Sequence, residues 1–316
     1  MREFRLQANS EMRFNLTRES FESQTRKRRP WFEPAHGQAE DVCHAVCPEC
    51  RNPIRIIGLY VPLPNGQSAY GRHTGMQQKG FPFFDAESFA LCPYVRKGKP
   101  SRSARRKSIE GLPLYILQIL VGNFDHAIRI LREDTGVNIS RTLAGKLLAN
   151  YLGTRGYLYA GASVSNTPWM LAYMNPAFSI FGQFLQEEAT LIRNAVAAVP
   201  GAIVQPDGKI WKDGSFADVG LTFAHHNPRI VDNRLVETLK LWVLSHEQTR
   251  DGNAKIVGRT KFTIRPERFE ALISAPAHRQ RRNTDLLDIA KACLIAHDVA
   301  LAERVFQALE NPTTID

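Results

Sequence analysis

Four of the five cysteines in this chain lie within one stretch of 50 residues, and this clustering constrains the fold more than any other feature. Cys47 and Cys50 form a Cys-x-x-Cys pair, in which a tight turn brings two thiolates onto one tetrahedral ion. The first 20 residues carry several charges and no apolar core, so no secretory signal is expected and the compartment is predicted to be cytoplasmic. Clustered cysteines in a reducing compartment are typical metal ligands, and the pattern predicts a zinc-stapled segment.

The favoured ligand set is four thiolates, namely Cys43, Cys47, Cys50 and Cys92. His73 is an alternative fourth ligand and His44 a weaker one, and a Cys-x-x-Cys pair that binds no metal is the remaining alternative. Four protein ligands leave no open coordination position, so the predicted zinc is structural and not catalytic. Cys293 stands apart in an apolar helical pattern and is expected to be a small core residue.

The charge is strongly positive, with 41 Lys and Arg against 31 Asp and Glu, a net charge of +10. Much of the excess falls into three basic segments, which are Arg26, Lys27, Arg28 and Arg29; Arg96, Lys97, Lys99, Arg102, Arg105, Arg106 and Lys107; and Arg279, Arg281 and Arg282. Such segments repel themselves unless an anion lies among them, and phosphate is the usual one. A polyanion partner is therefore favoured over a merely solvated loop, but charge alone does not separate RNA from DNA.

The pattern of elements predicts an α+β fold. The β-branched run 54–61 is typical of a strand, and Ser140 and Asn283 are expected to cap helices. Three divisions are predicted: residues 1–42 as N-terminal strands and a basic arm, 43–110 as a zinc-knuckle and basic insertion, and 111–316 as a mixed α+β body. Residues 178–199 and 235–246 are predicted to be helical, and 202–212 to be a hairpin. No apolar run long enough to span a membrane is expected.

Several short segments occur in a particular order between residues 73 and 168. They are His73–Thr74, Lys79–Gly80–Phe81, the run 112–118, Arg155–Gly156–Tyr157–Leu158 and Thr167–Pro168. In order and relative separation this series resembles the RAMP-type crRNA-binding backbone subunit of a type I-F variant CRISPR Cascade. The cysteine cluster is not part of that pattern, so it would be an added insertion. His73 belongs to the family motif, and this favours Cys43 as the fourth ligand.

The resemblance implies an RRM-like palm with helical and zinc-stapled insertions. It implies a subunit that is not an enzyme, that oligomerises along the crRNA with copies of itself and other Cascade-type subunits, and that presents the guide to target DNA. By matched position, the residues at the RNA groove would be His73, Lys79, Arg155 and Tyr157. Arg96 to Lys107 would be a phosphate-contacting insertion. Tyr157 as a core residue is the alternative. Such a subunit binds its guide through the backbone and needs no catalytic group.

Two other classes of function remain open. A zinc-containing helix-turn-helix DNA-binding regulator would use residues 124–131 and 140–151, with Arg141 and Lys146 on its second helix. A metal-dependent nuclease would draw on acidic and histidine residues in the C-terminal half: Asp218, His225, His226, Asp232, His246 and Glu247. Their spacing matches no metalloenzyme motif, because His246–Glu247 lacks a second histidine four residues after the first.

Overall fold

The structure is a computed structural model that describes residues 1–35, 41–81, 83–213, 218–245, 254–276 and 281–310. The chain divides into two units. The first comprises 1–101, 109–112 and 228–236, and the second comprises 102–108, 113–227 and 237–316. The predicted segments 1–42 and 43–110 fall largely in the first unit.

The fold is mixed α+β. The strands are β1 (Glu3–Phe4), β2 (Phe14–Asn15), β3 (Phe32–Glu33), β4 (Val42–Val46), β5 (Pro53–Ile57), β6 (Tyr70–His73), β7 (Val137–Asn138), β8 (Phe178–Ser179), β9 (Phe184–Leu185), β10 (Ala202–Val204), β11 (Ile210–Lys212), β12 (Val219–Val231), β13 (Arg234–Ser245) and β14 (Lys255–Thr263). The helices are α1 (Arg18–Thr25), α2 (Ala86–Leu91), α3 (Leu112–Gly122), α4 (Phe124–Thr135), α5 (Arg141–Gly153), α6 (Thr167–Tyr173), α7 (Thr190–Ala197), α8 (Pro266–Ile273), α9 (Thr284–His297) and α10 (Val299–Glu310).

The first unit is built on an antiparallel sheet with the order β3-β4-β5-β6. Alternate residues of a strand face opposite sides of the sheet. One cross-strand row, Ala45, Ile54 and His73, therefore faces the core that contains Phe4 and Phe21. Gly71 lies on the same inner side, where an added Cβ would come within 2.7 Å of the Ile54 side chain and would force that side chain to shift.

Among the described residues, the second unit contains a helical core and three antiparallel sheets, two of which are the two-stranded pairs β10-β11 and β7-β9. Its apolar interior includes Trp169 of α6, and α5 packs along α9. The Ser140 and Asn283 side chains accept hydrogen bonds from the first turns of α5 and α9, which confirms both predicted caps. The larger sheet has the order β14-β13-β12-β8. Asp232 and Asn233, both with positive φ, form the two-residue turn between β12 and β13.

Two of the helix predictions are wrong. Residues 235–246 were expected to be a helix, but β13 runs to Ser245. Its buried Leu239, Leu241 and Val243 recur every second residue, and pairing with both neighbouring strands satisfies the backbone. The segment 178–199 contains β8, β9 and only one helix, α7, because a turn at Gly182 with φ +77° interrupts it. The hairpin predicted at 202–212 is present as β10 and β11.

Within the described part of the chain, no single helix is long and apolar enough to cross a bilayer. Helices α3 and α4 meet the length and composition test only together, and the pair is bent by 80° at the break.

Candidate metal centre

Three cysteines and one histidine of the first unit converge on one point. One ligand atom from each of Cys47, Cys50, His73 and Cys92 lies within 4.8 Å of all the others. The Sγ atoms of Cys47 and Cys92 are 3.8 Å apart, which is the separation of about 3.8 Å that two thiolates have on a tetrahedral zinc with 2.3 Å bonds. The Sγ atom of Cys50 lies 3.1 Å from Nε2 of His73. The four side chains can hold one metal ion.

The turn between β4 and β5 presents two of these thiols. Cys47 directly follows β4, and its backbone N–H donates to the carbonyl of Asn52. Arg51 adopts a left-handed conformation with φ +64°, and its N–H donates back to the carbonyl of Cys47, which closes the turn. The turn thus points the Cys47 and Cys50 side chains to one side, as the Cys-x-x-Cys spacing predicts.

Two further elements bring in the other ligands. His73 is the last residue of β6, on the inner face of the sheet, and Cys92 follows the last residue of α2. The Asn52 side chain accepts a hydrogen bond from the N–H of Asp85 and donates one to the carbonyl of the same residue. Because Asp85 caps the start of α2, this pair of bonds fixes the helix, and with it Cys92, against the turn.

Cys43 is not part of the cluster, so the favoured four-cysteine set is wrong and the alternative with His73 is correct for the geometry. Cys43 lies on β4 opposite Ile56, four residues before Cys47. Four residues of strand span about 13 Å, which places the Cys43 thiol out of reach. Its surroundings are apolar, and burial raises the pKa of the Cys43 thiol to about 12. His44, the weaker alternative, faces the other side of the sheet.

The protonation of the cluster is coupled. Burial alone raises the pKa of a thiol, but hydrogen bonds with Cys50, Cys92 and His73 outweigh it at Cys47, whose pKa is held well below its usual value. Burial and the neighbouring Cys47 sulfur raise the pKa of Cys50 and Cys92 well above theirs. A bound dication would stabilise all three thiolates, so loading this site would release protons.

The side chains of two buried arginines donate hydrogen bonds to backbone carbonyls in this turn and in the N-terminal segment. Arg5 is fully buried, and its Nε donates to the carbonyl of Pro48 inside the turn. Arg51 donates from Nη1 to the carbonyls of Ala8 and Ser10. Glu49 pairs with Arg13 at 3.0 Å. These contacts tie the turn to the N-terminal segment, and sequence reasoning missed them because each depends on residues about 40 positions apart.

Most of the predicted nucleic-acid contacts in the first unit are on its surface. The exposed cations are Arg26, Arg28, Arg29, Lys79, Arg96, Lys97 and Lys99, and none of their side chains forms a hydrogen bond or ion pair with the described residues. Lys27 is also exposed, but it pairs with Glu22 at 3.1 Å and lies over the Tyr60 ring. His73, which was predicted to lie at the RNA groove, belongs instead to the cysteine–histidine cluster.

The predicted nucleic-acid contacts of the second unit differ in their exposure to solvent. Arg106 is buried and donates to the carbonyls of Tyr159 and Ala162, and Tyr157 is 3% exposed. Burial takes both side chains off the surface, so neither is retained as an RNA contact. Arg102 is exposed, lies over the Tyr173 ring and donates to the carbonyl of Asn175.

The remaining basic positions of the second unit are surface residues or are engaged in the fold. Arg105 is half-buried and donates to the carbonyls of Arg102 and Thr154. Lys107 and Arg155 are exposed. In the third basic segment, Arg281 is exposed, and Arg282 forms a bidentate ion pair with Asp125. Arg279 lies outside the described residues.

Sequence reasoning missed an exposed aromatic surface around β9, β10 and β11 of the second unit. This aromatic–lysine surface consists of Phe181, Phe184, Ile203, Lys209, Trp211 and Lys212. Lys209 Nζ lies 5.9 Å from the Phe184 ring centre and 5.1 Å from that of Trp211. Trp211 is 48% exposed. The two-residue spacing of Lys209 and Trp211, which places both on one face of a strand, was the available signal.

The histidines and acids of the nuclease alternative are dispersed. His226 is buried, with Nδ1 3.1 Å from the Tyr159 hydroxyl and Nε2 2.8 Å from Glu237 Oε1. His225 is exposed and packs edge-on to Trp242, Asp218 is half-buried, and Asp232 forms a hairpin turn. His246 and Glu247 lie outside the described residues. Among the residues that the structure describes, only the cysteine–histidine cluster gathers three or more potential metal ligands.

The helices of the regulator alternative do not form a simple helix-turn-helix surface. Strand β7 lies between α4 and α5 and pairs with β9. Helix α5 packs along α9, and its Arg141 pairs with Asp285 of that helix at 2.6 Å. Lys146 is exposed.

Neither a protein-family model nor a curated protein or solved structure matches this chain.

Proposed function

We propose that this chain is a single-strand RNA-binding subunit of a CRISPR-type ribonucleoprotein, in which it holds the crRNA for pairing with target DNA. The observation that carries the proposal is the aromatic–lysine surface. Proteins that bind single strands use exposed rings on which bases stack, next to cations that follow the phosphates. Folding by itself gives no reason to leave Trp211 and Phe184 exposed on one sheet face with Lys209 between them.

The pairing of β10 with β11 and the bridge between Phe184 and Lys209 support a continuous stacking surface. Ile203 lies directly opposite Trp211 on paired strands, and Phe184 lies opposite Lys209. Two of the alternate residues, Ala202 and Ile210, are buried. The ring-bearing face is therefore rigidly backed by the core, which keeps the entropy cost of ordering it on binding low.

The exposed cations supply the second requirement, contact with phosphate. Three exposed arginines follow α1 (Arg26, Arg28 and Arg29), and three further cations follow Cys92 (Arg96, Lys97 and Lys99). Each contact of such a cation with a single-strand phosphate releases counterions and strengthens the dependence of binding on salt.

Zinc is the proposed metal, and its proposed role is structural. Three thiolates and one imidazole form a donor set typical of structural zinc, and they occupy all four positions of a tetrahedron. The residues fit the ion in number, type and spacing. When bound, zinc would link the β4–β5 turn, β6 and the end of α2.

The remaining parts of the proposal concern assembly. The counterpart of an RRM-like palm would be the antiparallel sheet of β8, β12, β13 and β14. The subunit would act without catalysis, in the cytoplasm, and would assemble with copies of itself and with other Cascade-type subunits along the guide. Contiguous binding along a strand favours such self-association.

Purification of the chain from its host tests the proposal directly. We expect a short, discrete RNA to accompany it, and the RNA-free protein to bind oligouridylate in preference to duplex DNA of equal length. Nuclease digestion and sequencing identify the RNA, and fluorescence anisotropy at two salt concentrations measures the preference. A nucleotide-free sample that binds neither polymer, or a dimer that prefers a duplex, would contradict the proposal, and the second result would favour a DNA-binding regulator.

A further inference from the structure

The outer face of the β3-β4-β5-β6 sheet carries two arginines that lie opposite each other on neighbouring strands. Arg55 of β5 is directly opposite Arg72 of β6, and His44 of β4 is opposite Arg55 on the other side. The inner row beside them, Ala45, Ile54 and His73, faces the core, so strand alternation directs His44, Arg55 and Arg72 outward. Both guanidinium groups belong to exposed residues.

This pairing is unfavourable for the folded chain alone. Directly opposite residues of an antiparallel pair have Cβ atoms about 5 Å apart, and like charges at such positions destabilise a sheet. Neither the Arg55 nor the Arg72 side chain forms a hydrogen bond or ion pair with any residue within the described ranges. A repulsion that no described side chain compensates with an ion pair is relieved when an anion binds between the two charges.

A third cation stands near the β4 end of the row. The Phe81 ring packs edge-on against His44, at 6.1 Å between ring centres, and Phe81 closes a tight turn through its bridge to Gln78. Lys79 and Gly80 form the tip of this turn. Gly80 has φ +80°, and an added Cβ there would come within 2.3 Å of Pro30, so the tip lies against the residue that follows Arg29.

The geometry points to a phosphodiester-binding row on this sheet, formed by Arg55 and Arg72 and continued by Lys79. The ligand is the backbone of the same single-stranded RNA, so this inference rests on the proposed function. It goes beyond that function because it gives the zinc-stapled sheet a direct contact with the ligand. Guanidinium groups suit this task because their planar donors match the oxygens of phosphate.

The metal cluster supports the row mechanically. Cys47 and Cys50 join β4 to β5, and His73 is the neighbour in sequence of Arg72. A metal held by these residues fixes the three strands in register on the inner face, and the same register sets the spacing of the two guanidiniums on the outer face.

The test is the double variant Arg55→Gln with Arg72→Gln in the full chain, compared with Lys146→Gln and Lys291→Gln. The control pair removes the same charge from exposed positions on α5 and α9. We expect the arginine variant to bind oligouridylate more weakly and to lower the slope of log affinity against log salt by about 1.4, which is about 0.7 for each lost single-strand contact. The control should keep the wild-type slope. Metal content should not change, and the Tm should stay level or rise because the repulsion is gone.

Three outcomes would overturn the inference. If the wild type binds oligouridylate and both double variants keep its slope, the row does not contact RNA, although the proposed function stands. If the arginine variant loses binding to poly-glutamate as strongly as to oligouridylate, the row recognises anionic chains in general, such as an acidic protein. If the wild type binds no single strand at all, the proposed function fails and the row has no RNA ligand.

Discussion

Nη1 of Arg106 lies 2.6 Å from the carbonyl oxygen of Tyr159, 53 residues further along the chain. Nη2 of the same side chain donates to the carbonyl of Ala162 at 3.1 Å. This arginine therefore belongs to the core of the second unit, although the sequence places it near the end of the longest basic segment. The charge of that segment serves two purposes, because part of it holds the fold and part of it is exposed.

Replacing Arg106 with glutamine should destabilise the protein. The variant loses two buried hydrogen bonds from a charged donor, and we expect the free energy of unfolding to fall by about 3 kcal/mol. Urea unfolding followed by circular dichroism measures this. Lys97→Gln removes the same charge from an exposed site and should change stability by less than about 0.5 kcal/mol. Equal stability of both variants would show that Arg106 is not held in the core.

Alanine variants distinguish the proposed metal ligands from Cys43, which is buried outside the cluster. Cys92→Ala should abolish binding of one zinc per chain and destabilise the first unit, because three ligands leave the site open. Cys43→Ala should keep the full metal content, since Cys43 lies on the strand outside the cluster. Elemental analysis of the purified proteins gives the metal stoichiometry.

His73 offers a further control for this site. His73→Cys should retain the metal in a four-thiolate set, and His73→Phe should lose it. Zinc loss in Cys43→Ala together with zinc retention in His73→Phe would restore the four-cysteine assignment.

Trp211 should contribute to RNA affinity through stacking. Trp211→Ala should weaken oligouridylate binding about tenfold, because stacking of a base on an aromatic side chain is worth about 1–3 kcal/mol. Trp211→Phe should retain most of the affinity. Ile295→Ala, which truncates an equally exposed apolar side chain on α9, is the matched control. A loss of affinity as large in Ile295→Ala as in Trp211→Ala would argue against stacking.

The ionised carboxyl of Asp125 makes the stability of the second unit depend on pH. Burial alone would raise the pKa of its carboxyl, but hydrogen bonds from Arg282 and from the N–H of Asn283 outweigh burial and lower the pKa. A lowered folded-state pKa contributes stability that is present above the unfolded value, about 3.9, and is lost as pH falls through the folded value.

The variant Asp125→Asn should therefore be less stable than the wild type at pH 7, by about 2 kcal/mol, and this gap should be smaller near pH 3. Urea unfolding at the two pH values measures the gap. Asp288→Asn, at an exposed position on α9, should show no gap at either pH. A gap that persists unchanged at pH 3 would mean that the carboxylate charge is not its cause.

The sequence by itself determined the features that depend on neighbours a few residues apart. The Cys-x-x-Cys turn, the caps at Ser140 and Asn283 and the hairpin at 202–212 are of this kind, because local backbone geometry and short hydrogen bonds decide them. Three of the four ligands, Cys47, Cys50 and Cys92, were predictable for the same reason, since residue type and clustering are visible in the chain.

Only the tertiary structure decided between Cys43 and His73, and it also decided which basic residues are buried. Strand register places His73 on the inner face at the cluster and leaves the Cys43 thiol about 13 Å of strand away. Register likewise sets Arg55 opposite Arg72, and packing buries Arg106. Each of these results depends on pairing between segments far apart in sequence, and such pairing is set by burial of the whole core rather than by local preference.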